Sequence, residues 1–209
     1  MVFAQYDAEC FNTQRKLITE NIANMPLDSM HYRDTLRIAG IDRYIDTVYG
    51  FRVEDVTSQI NKMVGCKMPD FSFFDLNGEA FSIYKTTSDF TIINFSFDCG
   101  DVCNYQLGEL SMLKKTLGDS VVIYNIYELE DKKLIDYFSS LELADNMEFV
   151  ANADLLLFSY AIKDIRPFIY LLDKYKNIIY VKGGQDVTES STFLYEQFLE
   201  KIRATNCSN

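Results

Sequence analysis

The first part of the chain carries apolar side chains at helical spacing. The first of three apolar stripes has these members: Phe11, Leu17, Ile18 and Ile22. Two further stripes follow at 36–48 and 53–64, and a Met-Pro-Leu-Asp-Ser sequence at 25–29 separates the first stripe from the second. The spacing predicts an N-terminal helical extension over residues 1–64. Its helices either cover one face of a sheet or form a dimer contact.

The pattern changes after Gly65 to short apolar runs that alternate with helical stretches. Two short strands flank an Asn-Gly turn at 77–78. Apolar runs typical of buried strands follow, at 90–97, 120–127, 148–150, 168–172 and 178–181. Helical patterns cover 103–116, 132–141 and 189–204. Strands that alternate with helices and end in a hairpin predict an α/β domain over residues 65–209, with a central mixed sheet flanked by helices.

Two cysteines lie at the junction between a predicted strand and a predicted helix. Cys99 and Cys103 are four residues apart, between the 90–97 strand and the 103–116 helix. The first turn of a helix offers unpaired backbone N–H groups and a positive dipole end, which favour a thiolate. Asp98 and Asp101 oppose this effect with their negative charge. We expect thiol–disulfide exchange, with Cys99 as the attacking thiol and Cys103 as the resolving thiol.

Composition narrows the function classes. The net charge of −11 argues against nucleic-acid binding, which needs a basic surface. No apolar run approaches the ~18 residues of a membrane span. The sequence contains no Gly-rich phosphate loop, so no organic cofactor is predicted.

Three of the five cysteines have no partner that their spacing suggests, and we expect them to be bystanders rather than members of a disulfide scaffold: Cys10, Cys66 and Cys207.

The first residues allow two interpretations of localisation. Val2 and Ala4 are small residues at the −3 and −1 positions of a possible signal-peptidase site. If they end a truncated signal, the protein is exported to the periplasm or the cell envelope. If they form an ordinary N-terminus, the protein is cytoplasmic.

Three segments resemble the thioredoxin-like superfamily, in particular its redoxin branch of TlpA-type thiol–disulfide oxidoreductases and peroxiredoxins. Residues 65–78 resemble the opening G-x-x-x-P-x-F…D-x-x-G of that branch. Residues 94–110 resemble its N-F…C-x-x-C…E-L segment. Residues 167–173, Pro-Phe-Ile-Tyr-Leu-Leu-Asp, resemble the segment at the cis-proline of the superfamily.

The resemblance implies a thioredoxin-like fold over about residues 65–205 and protein thiols and disulfides as partners. It implies that Cys99 and Cys103 are the redox pair and that Pro167, after a cis peptide bond to Arg166, borders the substrate groove. Aligned without gaps, Cys103 takes the position of the second family cysteine and Gly100 that of the first. The reverse assignment of attacking and resolving thiol therefore stays open. The proline and threonine of peroxiredoxin sites are missing, so peroxide reduction is not expected.

The cysteine loop also resembles that of the Sco copper proteins. Its sequence Cys-Gly-Asp-Val-Cys matches the Sco pattern C-P-D-V-C at four of five positions. This resemblance implies a Cu(I) site formed by Cys99 and Cys103, since soft thiolates suit Cu(I). The distal histidine of Sco proteins has no counterpart, because the only histidine, His31, lies in the helical extension. A third alternative is a non-catalytic binding module, because Ser96 and Cys99 replace the aromatic residues that usually flank the active loop.

Overall fold

The computed structural model describes residues 7–24, 58–70, 72–74, 80–96, 101–127, 147–150, 168–183 and 193–207. Several predictions fall outside these residues: the stripe at 36–48, the helix at 132–141, His31, Cys99, Arg166 and Pro167.

The described helices and strands follow the predicted order. The α-helices are α1 (Asp7–Ala23), α2 (Asp101–Leu117) and α3 (Phe193–Cys207). The strands are β1 (Ser72–Phe74), β2 (Ala80–Ser82), β3 (Phe90–Ser96), β4 (Val121–Tyr127), β5 (Met147–Val150), β6 (Phe168–Leu172) and β7 (Ile178–Gly183). Short 3₁₀ turns lie at Asn61–Met63, Ile83–Lys85 and Gly118–Ser120.

The strands form two sheets. β1 and β2 pair antiparallel, as predicted from the Asn-Gly sequence between them. The larger sheet has the strand order β5-β4-β3-β6-β7, in which β3, β4 and β5 are parallel and β6 is antiparallel to both β3 and β7. Since α2 connects the parallel pair β3 and β4, it packs against the sheet that they form. The predicted mixed sheet flanked by helices is confirmed.

One face of the larger sheet packs against α2 and α3. Every second residue of β3 and β4 points to this face, and the helices contribute residues at spacings of three and four. The apolar cluster contains these side chains: Phe90, Ile92, Leu107, Leu110, Leu113, Val121, Ile123, Met147, Ile169, Leu171, Phe198 and Ile202. The periodicity of the sequence therefore accounts for this layer.

The opposite face packs against α1 and the segment 58–68. Phe11, Ile18 and Ile22 of α1 are buried in one cluster with side chains from β3, β4, β6 and β7. Of the two roles open for the N-terminal helices, α1 thus takes the first and covers one face of the sheet. Leu17 was expected in the same stripe, but it is 48% exposed, because it lies off the line of positions 11, 18 and 22. The division of the chain at residue 64 stays a prediction.

A disulfide bond joins Cys10 of α1 to Cys66, which corrects the prediction that both are bystanders. Their Cα atoms are 5.7 Å apart, within the usual range for a disulfide, although 56 residues separate them in sequence. Spacing along the chain could not indicate this pair, because the two residues meet only after α1 has folded back onto the sheet. Cys207 is the last residue of α3, and its side chain lies outside the described residues.

The segment that contains Cys66 is fixed on the outer edge of the sheet. The N–H of Gly65 donates to the carbonyl of Ile178 at 2.8 Å, and the N–H of Ile178 donates to the carbonyl of Cys66 at 2.8 Å. Gly65 has φ +94°, a conformation that favours glycine. Residues 65–68 therefore run beside the start of β7. Each described helix is too short or too polar to span a lipid bilayer.

Candidate functional site

The candidate site lies where β3 ends and α2 begins. β3 ends at Ser96, α2 begins at Asp101, and Cys103 is the third residue of α2. The backbone of Cys103 is therefore in the first helical turn, where backbone N–H groups have no partner within the helix. The side chain of Cys103 and the whole of Cys99 lie outside the described residues. The predicted position of one cysteine at a helix start is confirmed for the backbone.

The start of β6 lies beside the end of β3. Phe168 pairs with Phe95, and the antiparallel register continues from Asn94 with Ile169 to Thr91 with Leu172. Phe168 directly follows Pro167 in the sequence. Arg166 and Pro167 themselves lie outside the described residues, so their predicted roles stay predictions.

A chain of three buried side-chain amides lies below the first turns of α2. Gln106 of α2 donates through Nε2 to Asn94 Oδ1 of β3 at 3.1 Å, and Asn94 Nδ2 donates to Asn125 Oδ1 of β4 at 3.0 Å. Asn125 Nδ2 donates in turn to the carbonyl of Glu148 in β5, at 3.4 Å. All three amide side chains are at most 2% exposed. The chain of hydrogen bonds therefore links α2 to three neighbouring strands.

The position of the amides follows from the strand register. Asn94 and Asn125 are register partners, and both point to the face that α2 covers. Towards the amino ends of β3 and β4 this face carries Phe90, Ile92 and their apolar partners. Towards the carboxyl ends it carries buried polar side chains, with Ser96 1% exposed beyond Asn94. The layer under α2 thus changes from apolar to polar in the direction of Cys103.

One acceptor atom of the amide chain has no hydrogen-bond partner among the described residues. Gln106 Oε1 is buried and accepts no hydrogen bond in the described part of the protein. Leaving a buried polar atom unpaired costs about 1–3 kcal/mol. Gln106 follows Cys103 by three residues, a spacing that places two residues on the same side of a helix. A free acceptor therefore lies one helical turn beyond Cys103.

The outer side of α2 carries apolar surface beside this turn. Tyr105 is 63% exposed and Met112 is 44% exposed. Gly108 lies between them, and a Cβ atom there would meet nothing within 4 Å. Positions 105, 108 and 112 share one side of the helix. The three positions therefore form an exposed strip on the side of α2 that faces away from the sheet.

In the described residues, the side chains with shifted pKa values lie on the α1 side of the sheet, opposite the amides under α2. Burial lowers the pKa of Lys176, and the Asp173 charge opposes this shift. Its Nζ donates to Thr91 Oγ1 at 3.0 Å, near the amino end of β3. Burial raises the pKa of Tyr170, on the α1 face, well above its ordinary value, and the charge of Arg15 opposes this shift. The amides below α2, by contrast, do not titrate.

The described residues include no group of three or more His, Cys, Asp or Glu side chains that could hold a metal ion.

The amide chain was missed in the sequence because both asparagines stand inside apolar runs that predict strands. A signal was present: Asn94 and Asn125 occupy the same place in two strands that otherwise carry mainly apolar residues. A polar residue at an inward position of a buried strand indicates a partner nearby.

Comparison of the sequence with protein-family models and with curated proteins gives no match. The structure is similar to that of the pneumococcal exposed lipoprotein thioredoxin Etrx1 from Streptococcus pneumoniae, with 14% identity and a TM-score of 0.50 over 63% of this chain and 98% of the other. The thioredoxin domain of a thiol-disulfide oxidoreductase from Bacteroides vulgatus has 21% identity and a TM-score of 0.51, over 66% and 96%. Yeast Sco1 has 19% identity and a TM-score of 0.51, over 66% and 95%. These similarities show a thioredoxin-like fold, as the sequence resemblance implied.

Proposed function

We propose that this chain of thioredoxin-like fold is a thiol–disulfide oxidoreductase that uses Cys99 and Cys103. The observation that carries the proposal is the backbone position of Cys103, in the first turn of the helix that directly follows the central strand β3. The fold is shared with a solved thioredoxin and with a domain of a thiol-disulfide oxidoreductase. A spacing of four residues allows two cysteines to approach within bonding range at a loop–helix junction.

The proposed reaction is an exchange of disulfides between a substrate protein and the cysteine pair. The Cys99 thiolate attacks one sulfur of the substrate disulfide, forms a mixed disulfide and releases the other substrate sulfur as a thiolate. The Cys103 thiolate then attacks Cys99 Sγ and releases the second substrate sulfur. The substrate gains the two electrons and two protons that the cysteine pair loses. We expect the α2 dipole to stabilise the Cys103 thiolate, since the backbone of Cys103 lies in the first turn of α2, at the positive end of the helix.

Arg166 and Pro167 are proposed to border the groove that holds the substrate chain. The β3–β6 register supports this role, because Phe168 pairs with Phe95 near the end of β3 and Pro167 immediately precedes it. A proline at this place would keep its own backbone from donating a hydrogen bond and leave its carbonyl for the substrate.

Insulin reduction with dithiothreitol as electron donor tests the proposal. The wild-type protein is expected to accelerate insulin precipitation, and Cys99→Ser is expected to abolish the acceleration. Cys103→Ser is expected to retain the first step and to accumulate a mixed disulfide with the substrate. Cys207→Ser serves as the matched control, because it removes a thiol outside the pair. Equal activity of all four proteins, or none in the wild type, would reject the proposal.

A Cu(I) site on the same two thiols is the second candidate function. The five-residue cysteine loop and the structural similarity to yeast Sco1 favour it. Retention of one Cu(I) per chain after gel filtration, lost in Cys99→Ser and kept in Cys207→Ser, would support this function. If both cysteines of the native protein resist thiol labelling and bind no copper, a non-catalytic binding module is the remaining alternative.

Export is proposed as the localisation. One structurally similar protein is an exposed lipoprotein thioredoxin, which supports this proposal. A disulfide between two cysteines outside the proposed pair is also typical of oxidising compartments. Fractionation of cells that produce the chain from its own gene tests the proposal.

A further inference from the structure

The described contacts of α1 include an apolar stripe, a side-chain hydrogen bond and a disulfide bond. Its buried side chains are Phe11, Ile18 and Ile22, all on one stripe. A side-chain hydrogen bond from Asn21 Nδ2 to Gln59 Oε1, at 3.0 Å, is exposed to solvent. The covalent link at Cys10 adds to these contacts one residue before Phe11. The bond therefore acts where the helix begins to bury its apolar side.

The surface under α1 is aromatic. The ring of Phe11 lies 6.0 Å from that of Tyr170, and the Tyr170 ring lies 4.9 Å from that of Phe168 and 6.0 Å from that of Phe95. Phe95, Phe168 and Tyr170 are fully buried. Loss of α1 would expose part of this aromatic cluster to water, which disfavours release. The helix is thus a cover for a face of the sheet that lies away from the amide chain.

We propose that Cys10–Cys66 is a second disulfide site, chemically separate from Cys99 and Cys103, that holds α1 on the sheet. The inference goes beyond the proposed function, because neither cysteine of the proposed redox pair takes part. We call the Cys10–Cys66 bond the staple. It stabilises the fold and takes no part in disulfide exchange with substrates. Its two ends belong to different layers, α1 and the segment on the edge of β7.

The burial of the two cysteines differs, and this difference protects the staple from reduction. Cys10 is exposed, whereas Cys66 is 3% exposed. An external thiolate would therefore attack Cys10 Sγ, and the sulfur of Cys66 would leave. A thiolate released among apolar side chains is poorly solvated, which makes Cys66 a poor leaving group. The same burial favours the reverse reaction, in which the bond closes again.

Formation of the staple needs an oxidant, which we assign to the class of small-molecule disulfides such as oxidised glutathione. The Cys10 thiolate attacks one glutathione sulfur, forms a mixed disulfide and releases a glutathione thiolate. The Cys66 thiol loses its proton, and its thiolate attacks Cys10 Sγ and displaces the second glutathione. Two protein thiols are oxidised, and one glutathione disulfide is reduced to two thiols.

A tryptic map under non-reducing conditions tests whether the bond exists. The full chain is purified without reductant, its free thiols are alkylated in denaturant, and trypsin is added. If the staple is present, the tryptic peptide of residues 1–15 is recovered joined to the tryptic peptide of residues 63–67. Treatment with a phosphine reductant before alkylation should separate the two peptides. Alkylated Cys10 and Cys66 in protein incubated with oxidised glutathione would overturn the proposal.

The same map separates the staple from the proposed redox pair. Cys99 and Cys103 fall in one tryptic peptide, residues 86–114. A disulfide between them therefore lowers the mass of that peptide and does not link two peptides. Either result can therefore be obtained without the other. Failure of the staple leaves insulin reduction untouched, and failure of insulin reduction leaves the staple untouched.

Hydrogen exchange tests what the staple does. The variant Cys99→Ser/Cys103→Ser/Cys207→Ser contains only the staple cysteines, and its exchange is measured before and after reduction of the folded protein. We expect protection of the α1 amides to fall by about tenfold or more on reduction, because the bond no longer restricts α1. Amides of β3 and β4 should keep their protection. Unchanged protection of α1 would overturn the proposed role.

A single variant provides the matched control for reduction. Cys10→Ser in the same background should exchange like the reduced protein, with and without reductant. Since reduction starts from folded protein, the test does not depend on whether this variant folds. In the wild-type background, Cys10→Ser should retain insulin reduction, because it lies outside the proposed redox pair.

Discussion

The two faces of the five-stranded sheet differ in the chemistry of their buried layers. The α1 face is apolar and aromatic, and a disulfide holds its cover in place. The face under α2 and α3 is apolar near the amino ends of β3 and β4, but a chain of amides replaces the apolar residues near Cys103. Both faces exclude water, so the difference lies in what is buried. Apolar packing holds α1, whereas α2 is held by apolar packing and, near the proposed site, by directional hydrogen bonds as well.

We expect the largest loss of stability from a substitution in the layer between α1 and the sheet. Phe11→Ala removes a side chain that is 1% exposed, and we expect a loss of about 3–5 kcal/mol in the free energy of unfolding, since it leaves a cavity against Tyr170. Leu17→Ala is the matched control on the same helix, because Leu17 is 48% exposed and should change stability by about 0.5 kcal/mol or less. Urea denaturation measures both. Equal losses would contradict the assigned orientation of α1.

The next effect breaks the amide chain. Asn94→Leu removes two hydrogen bonds and leaves Gln106 Nε2 and Asn125 Oδ1 without these partners. We expect a loss of about 2–4 kcal/mol in the free energy of unfolding, since each of the two buried polar groups left unpaired costs about 1–2 kcal/mol, in the lower part of the usual range.

A double-mutant cycle sharpens this prediction. Asn94→Leu/Asn125→Leu should cost less than the sum of the two single variants, with a coupling of about 0.5–3 kcal/mol between contacting residues. Strict additivity would contradict a direct hydrogen bond between the two amides.

The two layers should also differ in their response to alkaline pH. Burial raises the pKa of Tyr170 well above 10.0, so at pH values above 10.0 the unfolded chain loses a proton that the folded chain keeps. The free energy of unfolding therefore falls as the pH rises past 10.0, and the stabilisation is fully present below it. Tyr170→Phe should reduce the fall in stability measured by denaturation between neutral and alkaline pH. Gln106→Leu should leave it unchanged, because an amide does not titrate. A steeper fall in Tyr170→Phe would refute the assignment.

The smallest expected effect concerns the exposed side of α2. Tyr105→Ala should leave stability within about 0.5 kcal/mol, because the side chain is 63% exposed. It should lower the rate of insulin reduction by roughly fivefold, since loss of an aromatic contact with a partner costs about 1 kcal/mol. Tyr175→Ala is the matched control, at 61% exposure on the β6–β7 turn. Equal rates for the two variants would argue against a substrate contact at Tyr105.

Local patterns were sufficient to predict β3, α2 and β4, because alternation and helical spacing are properties of neighbouring residues. The same logic placed Leu17 in the buried stripe of α1, and only packing shows that it lies outside. Cys10 and Cys66 could not be paired from sequence, since their contact depends on a fold-back over 56 residues. The amide chain could not be predicted for a similar reason, because the role of Asn94 depends on its hydrogen bond to Asn125 on the neighbouring strand. The pairing of Cys99 with Cys103 stays a prediction.

The hydrogen bonds between residues 65–68 and β7 have a consequence for the behaviour of the protein at high concentration. A strand at the border of a sheet offers free N–H and C=O groups to which another molecule can add its own strand. Here Ile178 already donates to Cys66 and accepts from Gly65, and Met68 donates to the carbonyl of Lys176. The start of β7 is therefore closed to edge-to-edge association. The disulfide at Cys66 keeps residues 65–68 beside this strand.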